Sequence, residues 1–292
     1  MNTALITGGG GQLATDLAER LQERCRVVAP TRTRLDITDQ EAVAAAFEEL
    51  SPAVVFNCAA FHNVEVCERE EDRSFEVNAR AVKRLAELCA EGGARLVHMS
   101  TNYVFRGDRE DPYSEEDRPS PRSVYAISKL AGEHAALAYC RDALVVRSSG
   151  LYGLHGSASK GGNFVQRMVA RARDQGALKM VADQRLTPTY TADLADALIT
   201  AVERKVSGLL HLTNSGSCSW HEFTLAIMET AGIDVPVEPV RTVRAPGGAD
   251  RPLNGVLSCE RAGEAGLSLR PWRQALDEYM AKTGLVAEAT VR

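Results

Sequence analysis

The sequence predicts an α/β protein with a doubly wound parallel sheet and a smaller C-terminal domain. In the first half of the 292 residues, short apolar runs alternate with segments of helical periodicity, an order typical of parallel βαβ units. The runs are apolar almost throughout, as expected for strands that helices cover on both faces. The second half is less regular. Its segment 235–255, rich in Pro, Gly and Arg, predicts a long loop or a small subdomain near a ligand.

Each predicted element has its own sequence signal. Strands are predicted at five apolar runs, which are TALITG, CRVVAP, AVVFNCA, ARLVHMS and ALVVRSS. Helical periodicity predicts helices at 12–22, 41–50, 72–91, 163–175, 191–204 and 219–231, and one more that carries Tyr125 and Lys129. Thr38 or Asp39 is the expected cap of the second of these helices.

Composition narrows the class of protein. A net charge of −5 argues against nucleic-acid binding, which depends on a basic surface. The seven cysteines are odd in number and widely spaced, so we expect reduced thiols in the cytoplasm. We also expect neither a signal peptide nor a membrane span. His221-Glu222 begins like a zinc-protease motif, but Leu225 replaces the second His, and no metal site is predicted.

A glycine-rich turn follows the first predicted strand and opens a helix. In ITGGGGQLATDLA, Gly8, Gly11 and Ala14 fit the pattern G-x-x-G-x-x-A, and Gly10 provides an alternative G-x-G register. Glycines allow the backbone to approach a pyrophosphate, and the helix N-terminus presents N–H groups to it. The context predicts dinucleotide binding, although a glycine cluster alone is often only a tight turn.

The second strand indicates which dinucleotide binds. An acidic residue usually closes this strand in NAD sites, where it bonds the ribose 2′-OH. Here Thr31, Arg32 and Arg34 follow it instead. Arginine suits a 2′-phosphate, so NADPH is predicted, with NADH as the weaker alternative. Solvent-exposed loop arginines are the other interpretation.

Tyr125 and Lys129 stand four residues apart and therefore share one helix face. Spacing alone also fits an ordinary surface helix. In order along the chain, however, GGGGQLA, LDITD, NCAAF, VNA, STNYVF and YAISK occur together. This set resembles the extended short-chain dehydrogenase/reductases, which have a Rossmann fold, and more narrowly the dTDP-4-dehydrorhamnose reductases. GGNFVQRMV, VADQRLTPTYTADLADAL and RPLNGVLS extend the resemblance over nearly the whole chain.

The resemblance implies a division of the chain and a set of catalytic residues. Residues 1–148, with 186–213 returning to them, would form the dinucleotide-binding domain, and 149–185 with 214–292 the substrate-binding domain. Tyr125 would give a proton to the sugar carbonyl oxygen, which Thr101 would also hydrogen-bond. Lys129 and the nicotinamide charge would lower the pKa of Tyr125, and Lys129 would bind the nicotinamide ribose.

Binding residues follow from the same resemblance. The implied cofactor contacts are Gly8, Gly10, Gly11, Gln12, Leu13, Arg32, Asp36, Ile37, Ala59, Ala60, Asn78, Tyr125 and Lys129. The implied substrate contacts are Phe61, His62, Asn102, Tyr103, Gly150, Asn163 and Arg185. Plain loop positions are the alternative for His62 and Arg185. Helices over 79–89 and 129–139 would form a homodimer interface.

Three departures from the family pattern fall on the substrate side. Asn102 replaces the acid of STDYVF, Gly150 replaces an aromatic residue, and Phe61-His62 alters NAAAYT. The missing aromatic side chain would leave room in the sugar pocket or remove a stacking surface. We therefore expect a keto-sugar other than the rhamnose precursor, with neutral drift as the competing interpretation.

The main functional prediction is an NADPH-dependent reductase of a nucleotide-linked 4-keto-6-deoxy sugar in deoxysugar biosynthesis. The alternative is a non-catalytic NADP-binding regulatory subunit of the methionine adenosyltransferase beta-subunit type. A third interpretation, an epimerase or dehydratase that retains NAD, is disfavoured by the arginines after the second strand. Cys58 and Cys67 are interpreted as core or pocket-wall thiols, and Trp220 and Trp272 as packing residues.

Overall fold

The computed structural model describes residues 2–155, 161–244 and 247–286. The first half contains, in chain order, β1 (Thr3–Thr7), α1 (Gln12–Leu21), β2 (Arg26–Val28), α2 (Gln40–Leu50), β3 (Val54–Asn57), α3 (Val64–Cys67), α4 (Glu71–Phe75), a π-helical segment (Glu76–Arg80), α5 (Ala81–Gly92), β4 (Arg95–Thr101), a 3₁₀ turn (Asn102–Val104), α6 (Val124–Tyr139) and β5 (Leu144–Ser148).

The second half mixes helices with short strands. It contains β6 (Leu151–Tyr152), α7 (Phe164–Gln175), β7 (Leu178–Val181), β8 (Arg185–Leu186), β9 (Thr189–Tyr190), α8 (Thr191–Glu203), β10 (Gly208–His211), β11 (Cys218–Ser219), α9 (Trp220–Ala231), β12 (Val237–Val240), α10 (Glu260–Glu264) and α11 (Trp272–Thr283).

Six parallel strands form the central sheet in the order β10-β5-β4-β3-β1-β2. The chain leaves β1 first for β2 on one side and then for β3 on the other. The carboxyl edge near β1 and β3 is therefore a topological switch point, where open α/β sheets bind ligands. The predicted doubly wound parallel sheet is confirmed.

Helices cover both faces of the sheet because its strands are apolar on both sides. On one face, α1 and α8 pack over a core that includes Ile6 and Phe56. On the other, α2, α5 and α6 pack over Leu5 and Val55. A separate apolar core lies among α7, α9, α11 and β9, with the fully buried Tyr152 near its centre.

The strand β10 lies far along the chain, yet it pairs with β5 and completes the sheet. The predicted division at residue 148 stays a prediction. None of the helices within the described ranges has the length and apolar character needed to cross a membrane.

Several elements differ from the sequence prediction. The helix predicted over 72–91 is interrupted by the π-helical segment, and α3, α10 and α11 were not predicted. Segment 235–255, predicted as a loop or subdomain, contains β12, which pairs with β7. Asn163 is the cap of α7 rather than its first residue. The helices α3 and α10 carry too few residues for a periodic signal, whereas α11, with 12 residues, is long enough for one.

Candidate active site at the carboxyl edge of the sheet

Glycines bring the loop between β1 and α1 against neighbouring backbone. Gly8 has a φ of 75°, and a Cβ there would lie 2.8 Å from the backbone nitrogen of Ala59. A Cβ on Gly9 would lie 2.2 Å from the carbonyl oxygen of Ala29. Gly11 caps α1, and its N–H donates to the carbonyl oxygen of Gly8 at 3.1 Å. The loop thus offers bare backbone and the positive end of a helix to an anion, which fits a dinucleotide pyrophosphate.

Three other residues of this loop are predicted cofactor contacts. Gly10 has a φ of 82°, a conformation that favours glycine. The side chain of Leu13 is buried in the core, and the side-chain oxygen of Gln12 accepts the N–H of Gly153 at 2.8 Å. Both side chains therefore face the protein. The predicted contacts of Gln12 and Leu13 depend on their backbone N–H groups.

The segment after β2 borders a cleft of about 330 Å³. Arg32 is 61% exposed, and its Nε donates to the Asp36 carboxylate at 2.9 Å. Burial acts to raise the pKa of Asp36, but hydrogen bonds from Thr38 and Arg32 outweigh it and lower the pKa. Arg73 lines the same cleft, whereas Ile37 buries its side chain in the core. Arg80 lines the cleft too, together with the acidic residues Asp72 and Glu76, so three guanidinium groups are available for a phosphate.

The loop after β3 forms the wall opposite the glycine turn. Ala59 and Ala60 are half-buried there. The amide of Asn78 accepts the N–H of Phe61 and donates to its carbonyl oxygen, both at 2.9 Å. The same amide donates to the Ser128 hydroxyl on α6 at 3.0 Å. Asn78 therefore holds the wall against α6, and its predicted effect on the cofactor would act through that wall.

Close packing explains why Asn78 lies on a π-helical segment. Gly132 of α6 lies so near this segment that a Cβ would meet the Asn78 carbonyl oxygen at 2.1 Å. Single π-helical turns within helices are frequent at functional sites. The irregular turn places the Asn78 side chain between the β3 loop and α6.

Tyr125 and Lys129 lie one turn apart on α6. The helix is capped by Ser123, whose side chain accepts the N–H of Ala126. The Tyr125 hydroxyl lies beside the side chain of Thr101, the last residue of β4. Burial raises the pKa of Tyr125 above its usual value, and the interaction with Thr101 opposes only part of the rise. The expected lowering of this pKa is therefore wrong for the protein alone.

The position of the Lys129 ammonium explains that difference. Its Nζ donates to the Met99 carbonyl oxygen at 2.6 Å and lies 3.4 Å from Nε2 of His98. Burial lowers the pKa of Lys129 to about 8, with the Glu133 carboxylate acting in the opposite direction. Lys129 is therefore bonded to β4 beneath the site. In the protein alone, Tyr125 is stabilised mainly in its neutral form.

Sequence reasoning missed a row of polar residues beneath Lys129. Thr7, Asn57 and His98 are partners in register on β1, β3 and β4, and all are buried. The Thr7 hydroxyl donates to Asn57 at 2.6 Å, and the Asn57 amide lies 3.0 Å from Nδ1 of His98. A polar residue near the end of three successive apolar strands was the available signal.

The substrate side contains two charged residues that were also missed. Tyr103 meets Tyr125 edge to face, with ring centroids 6.0 Å apart. The Arg251 side chain lies beside the Tyr103 hydroxyl and pairs with Glu65 at 2.7 Å. Burial raises the pKa of the Tyr103 hydroxyl. The RPLNG segment, residues 251–255, therefore lies beside the catalytic tyrosine.

Two of the residues that depart from the family pattern lie against other segments of the protein. The Asn102 side chain is buried and donates to the carbonyl oxygen of Gly255 at 2.9 Å. Gly150 has a φ of 57°, and a Cβ there would lie 2.8 Å from Cδ1 of Leu186. The expectation that Gly150 leaves room is therefore wrong, since neighbouring residues fill that space.

The remaining predicted substrate contacts are engaged within the protein. Nδ1 of His62 lies 3.3 Å from the Ala60 carbonyl oxygen. The Asn163 amide donates to the Gly153 carbonyl oxygen and to the Tyr279 hydroxyl, both at 2.7 Å. The exposed Arg185 donates to the Ser217 hydroxyl at 3.0 Å. Their contacts with a nucleotide stay predictions.

The structure shows the surroundings of the two cysteines and two tryptophans that were interpreted as core, pocket-wall or packing residues. Burial raises the pKa of Cys58 to about 12, so this thiol is a poor nucleophile. The Cys67 thiol donates to the Phe61 carbonyl oxygen at 3.4 Å. Trp220 and Trp272 each pack against Phe223.

The arrangement suits proton donation to a carbonyl oxygen. Thr101 and Tyr125 place two hydroxyl groups at one point of the sheet edge, where both can hydrogen-bond one oxygen. Lys129 lies beneath them, and the glycine loop lies at the same edge. These are the parts needed for reduction by a bound dinucleotide.

A protein-family model described as the RmlD substrate binding domain matches residues 1–284. The chain belongs to the RmlD family. The resemblance inferred from the sequence is thereby confirmed. Within this family, the dTDP-4-dehydrorhamnose reductase of Mycolicibacterium smegmatis is 40% identical over 282 residues, which cover 95% of this chain and 84% of that protein.

A second relative and a solved structure are also similar to this RmlD family member. A probable dTDP-4,6-dihydroxy-2-methyloxan-3-one 4-ketoreductase of Streptomyces antibioticus is 41% identical over 280 residues, 94% of this chain and 93% of that protein. The structure of dTDP-4-dehydrorhamnose reductase from Bacillus anthracis in complex with NADP has a TM-score of 0.92 and 34% identity, covering 97% of this chain and all of that one.

Proposed function

We propose that the protein is an NADPH-dependent reductase of a nucleotide-linked 4-keto-6-deoxy sugar, similar to dTDP-4-dehydrorhamnose reductase. The observation that carries the proposal is the pairing of Tyr125 with Thr101 above the buried Lys129. Relatives named as dTDP-sugar reductases at about 40% identity and a related structure with NADP support the substrate and cofactor classes. We propose that it acts in the cytoplasm, where its seven free cysteines stay reduced.

The chain's own residues would carry the proton half of the reaction. Bound NADPH would supply the hydride to the keto carbon. As the carbonyl oxygen gains negative charge, Thr101 donates a hydrogen bond to it and Tyr125 transfers its proton to it. The Lys129 ammonium stabilises the tyrosinate that remains, and solvent then returns the proton to Tyr125. The product is a secondary alcohol at the former keto position.

Cofactor selection would depend on the segment after β2. Arg32 and Arg34 are both exposed at this segment, and Arg32 lines the cleft that Arg73 shares. A 2′-phosphate would compete with Asp36 for the guanidinium of Arg32. The glycine loop would hold the pyrophosphate through backbone N–H groups. These features support NADPH over NADH.

We also propose a homodimer through α5 and α6. The two helices pack on each other, and α6 leaves Ile127, Leu137 and Tyr139 exposed by 43%, 37% and 45%. Apolar side chains exposed on one helix favour contact with another apolar surface. Sedimentation of the wild type and of Ile127→Glu would test this. A dimer that the substitution dissociates supports the proposal, and a wild-type monomer contradicts it.

NADPH oxidation, followed at 340 nm, tests the proposed reaction. The substrates are dTDP-4-keto-rhamnose, made in situ, and keto-sugars that differ from it at C2, C3 or C5. We expect turnover, with a sugar other than dTDP-4-keto-rhamnose giving the highest kcat/KM. If dTDP-4-keto-rhamnose is best, the idea of a diverged substrate fails and the plain family reaction stands. If NADPH binds and no sugar reacts, the reductase proposal fails and the regulatory-subunit interpretation gains support.

A further inference from the structure

Asn102 and Gly255 are in direct contact although 153 residues separate them in the chain. The Asn102 side chain is 4% exposed, and its amide donates to the Gly255 carbonyl oxygen at 2.9 Å. A Cβ on Gly255 would lie 2.1 Å from Nδ2 of Asn102. Only a glycine leaves space for this amide. The present position of the Asn102 amide therefore requires a glycine at position 255.

The contact joins the catalytic strand to the RPLNG segment. The N–H of Gly255 donates to the carbonyl oxygen of Arg185 at 2.8 Å, which places the segment beside β8. At the other end of the segment, the Arg251 side chain lies beside the hydroxyl of Tyr103, whose ring meets Tyr125. A shift of Gly255 would therefore move Arg251 relative to the catalytic tyrosine.

Hydrogen bonds also connect Asn102 to the reacting hydroxyl groups. The Thr101 side chain lies beside the Tyr125 hydroxyl, and the Thr101 hydroxyl donates to the Asn102 side-chain oxygen at 3.4 Å. Thr101 accepts the N–H of Tyr103 at 3.2 Å. The Asn102 amide then donates to Gly255. These hydrogen bonds run in one order, from the Thr101 hydroxyl through the Asn102 amide to the Gly255 carbonyl oxygen.

A carboxylate at position 102 would break this order. It has the same shape as the amide but no hydrogen to donate, so two oxygen acceptors would face each other in a buried place. The neutral carboxylic acid retains one O–H donor. The contact would then exist only when the acid is protonated.

We propose that Asn102 is a positioning residue, which aligns Thr101 and the RPLNG segment with Tyr125 through the Gly255 carbonyl oxygen instead of contacting the sugar. The inference rests on the proposed reductase function.

The test is the pH profile of Asn102→Asp. At pH 8 we expect kcat/KM for the best keto-sugar to fall roughly ten- to hundredfold, as for a buried acceptor without its donor. Activity relative to wild type should recover as the pH falls and the introduced acid becomes protonated. The Kd of NADPH should stay within about twofold of the wild-type value, because the glycine loop is untouched.

A matched control separates positioning from general loss of stability. Asn214→Asp changes another buried amide, which follows β10 and donates to the Arg270 carbonyl oxygen and to the Asp193 carboxylate. It should lower the unfolding midpoint without giving kcat/KM an acid-side recovery. A constant ratio of Asn102→Asp to wild type across pH would overturn the inference. An altered preference among keto-sugars with an unchanged pH profile would overturn it as well and assign Asn102 to the sugar.

Two readouts do not depend on turnover. The difference in unfolding midpoint between Asn102→Asp and wild type should narrow as the pH falls, since the neutral acid regains the bond to Gly255. Gly255→Ala should be strongly destabilising alone but nearly neutral in an Asn102→Ala background, where the crowding is gone. Additive effects would overturn the inference. If wild type reduces no keto-sugar, the proposed function fails, and these two measurements still decide whether the contact exists.

Discussion

Replacing Lys129 with methionine should leave the protein folded and stable while removing its activity. Methionine retains an unbranched chain of similar length without the charge. Lys129 is 2% exposed, and burial lowers its pKa from 10.5 to about 8. That shift corresponds to about 3 kcal/mol of unfavourable burial of the charged form.

The substitution also removes a hydrogen bond, which offsets part of the stability gained by removing the buried charge. Without Lys129, the Met99 carbonyl oxygen loses its donor, at a cost of about 1–3 kcal/mol. The balance predicts that Lys129→Met at pH 7 equals the wild type in unfolding free energy or exceeds it by up to about 2 kcal/mol. Turnover should fall at least ~100-fold, because proton donation loses its stabilising charge.

The direction of the Lys129 pKa shift determines how the stability of the wild type changes with pH. The folded-state pKa lies below the unfolded value, so the unfolded chain binds more protons between about pH 8 and 10.5. Between about pH 8 and 10.5, the unfolding free energy of the wild type should therefore rise relative to that of Lys129→Met. Any stability advantage of the variant should be gone by about pH 10.5. Urea unfolding at pH 7 and pH 10, followed by tryptophan fluorescence, measures both values.

The control is Lys282→Met, which removes an exposed lysine paired with Glu278 on α11. It should leave the change in wild-type stability between pH 7 and pH 10 unchanged. A loss of more than about 3 kcal/mol in Lys129→Met at pH 7 would exceed the cost of the missing donor and refute the reasoning. A difference from wild type that does not vary with pH would refute it too.

Three further predictions concern single contacts. Tyr125→Phe should reduce turnover at least ~100-fold with an unchanged Kd for NADPH, and near-normal turnover would remove Tyr125 from the proton-donor role. Gly8→Ala should weaken NADPH binding at least ~10-fold, because φ is 75° and the new Cβ would meet Ala59 at 2.8 Å; unchanged binding in a titration would contradict the close approach. Arg32→Ala should cost about 1.5–3 kcal/mol in NADPH binding and little in NADH binding, whereas equal losses would place Arg32 away from the 2′-phosphate.

The parts of the site that depend on local spacing were predictable from the sequence. Tyr125 and Lys129 share a helix face because they are four residues apart. Gly8 and Gly11 lie between a strand and a helix, so the chain itself shows where the tight turn must be. The parallel sheet followed from alternating apolar runs and helices, since each run is long enough to be recognised.

Other features depend on contacts between distant segments. No local pattern pairs Asn102 with Gly255, and the π-helical turn at Asn78 depends on the approach of Gly132 from another helix. In the protein alone, the Tyr125 pKa shifts opposite to the expected direction because burial exceeds the effect of neighbouring groups, and burial is a property of the folded chain. The space expected beside Gly150 was filled by Leu186, from a different strand.

The central claim is that this chain moves a hydride to a sugar carbonyl and that Tyr125 supplies the proton. Transfer of deuterium from NADPH labelled at the transferred C4 position tests it most directly, with the preferred keto-sugar as acceptor. We expect one deuterium at the former keto carbon for each NADPH oxidised, seen by mass spectrometry and NMR, and almost none with Tyr125→Phe. An unlabelled sugar recovered from wild type that binds NADPH would contradict the account.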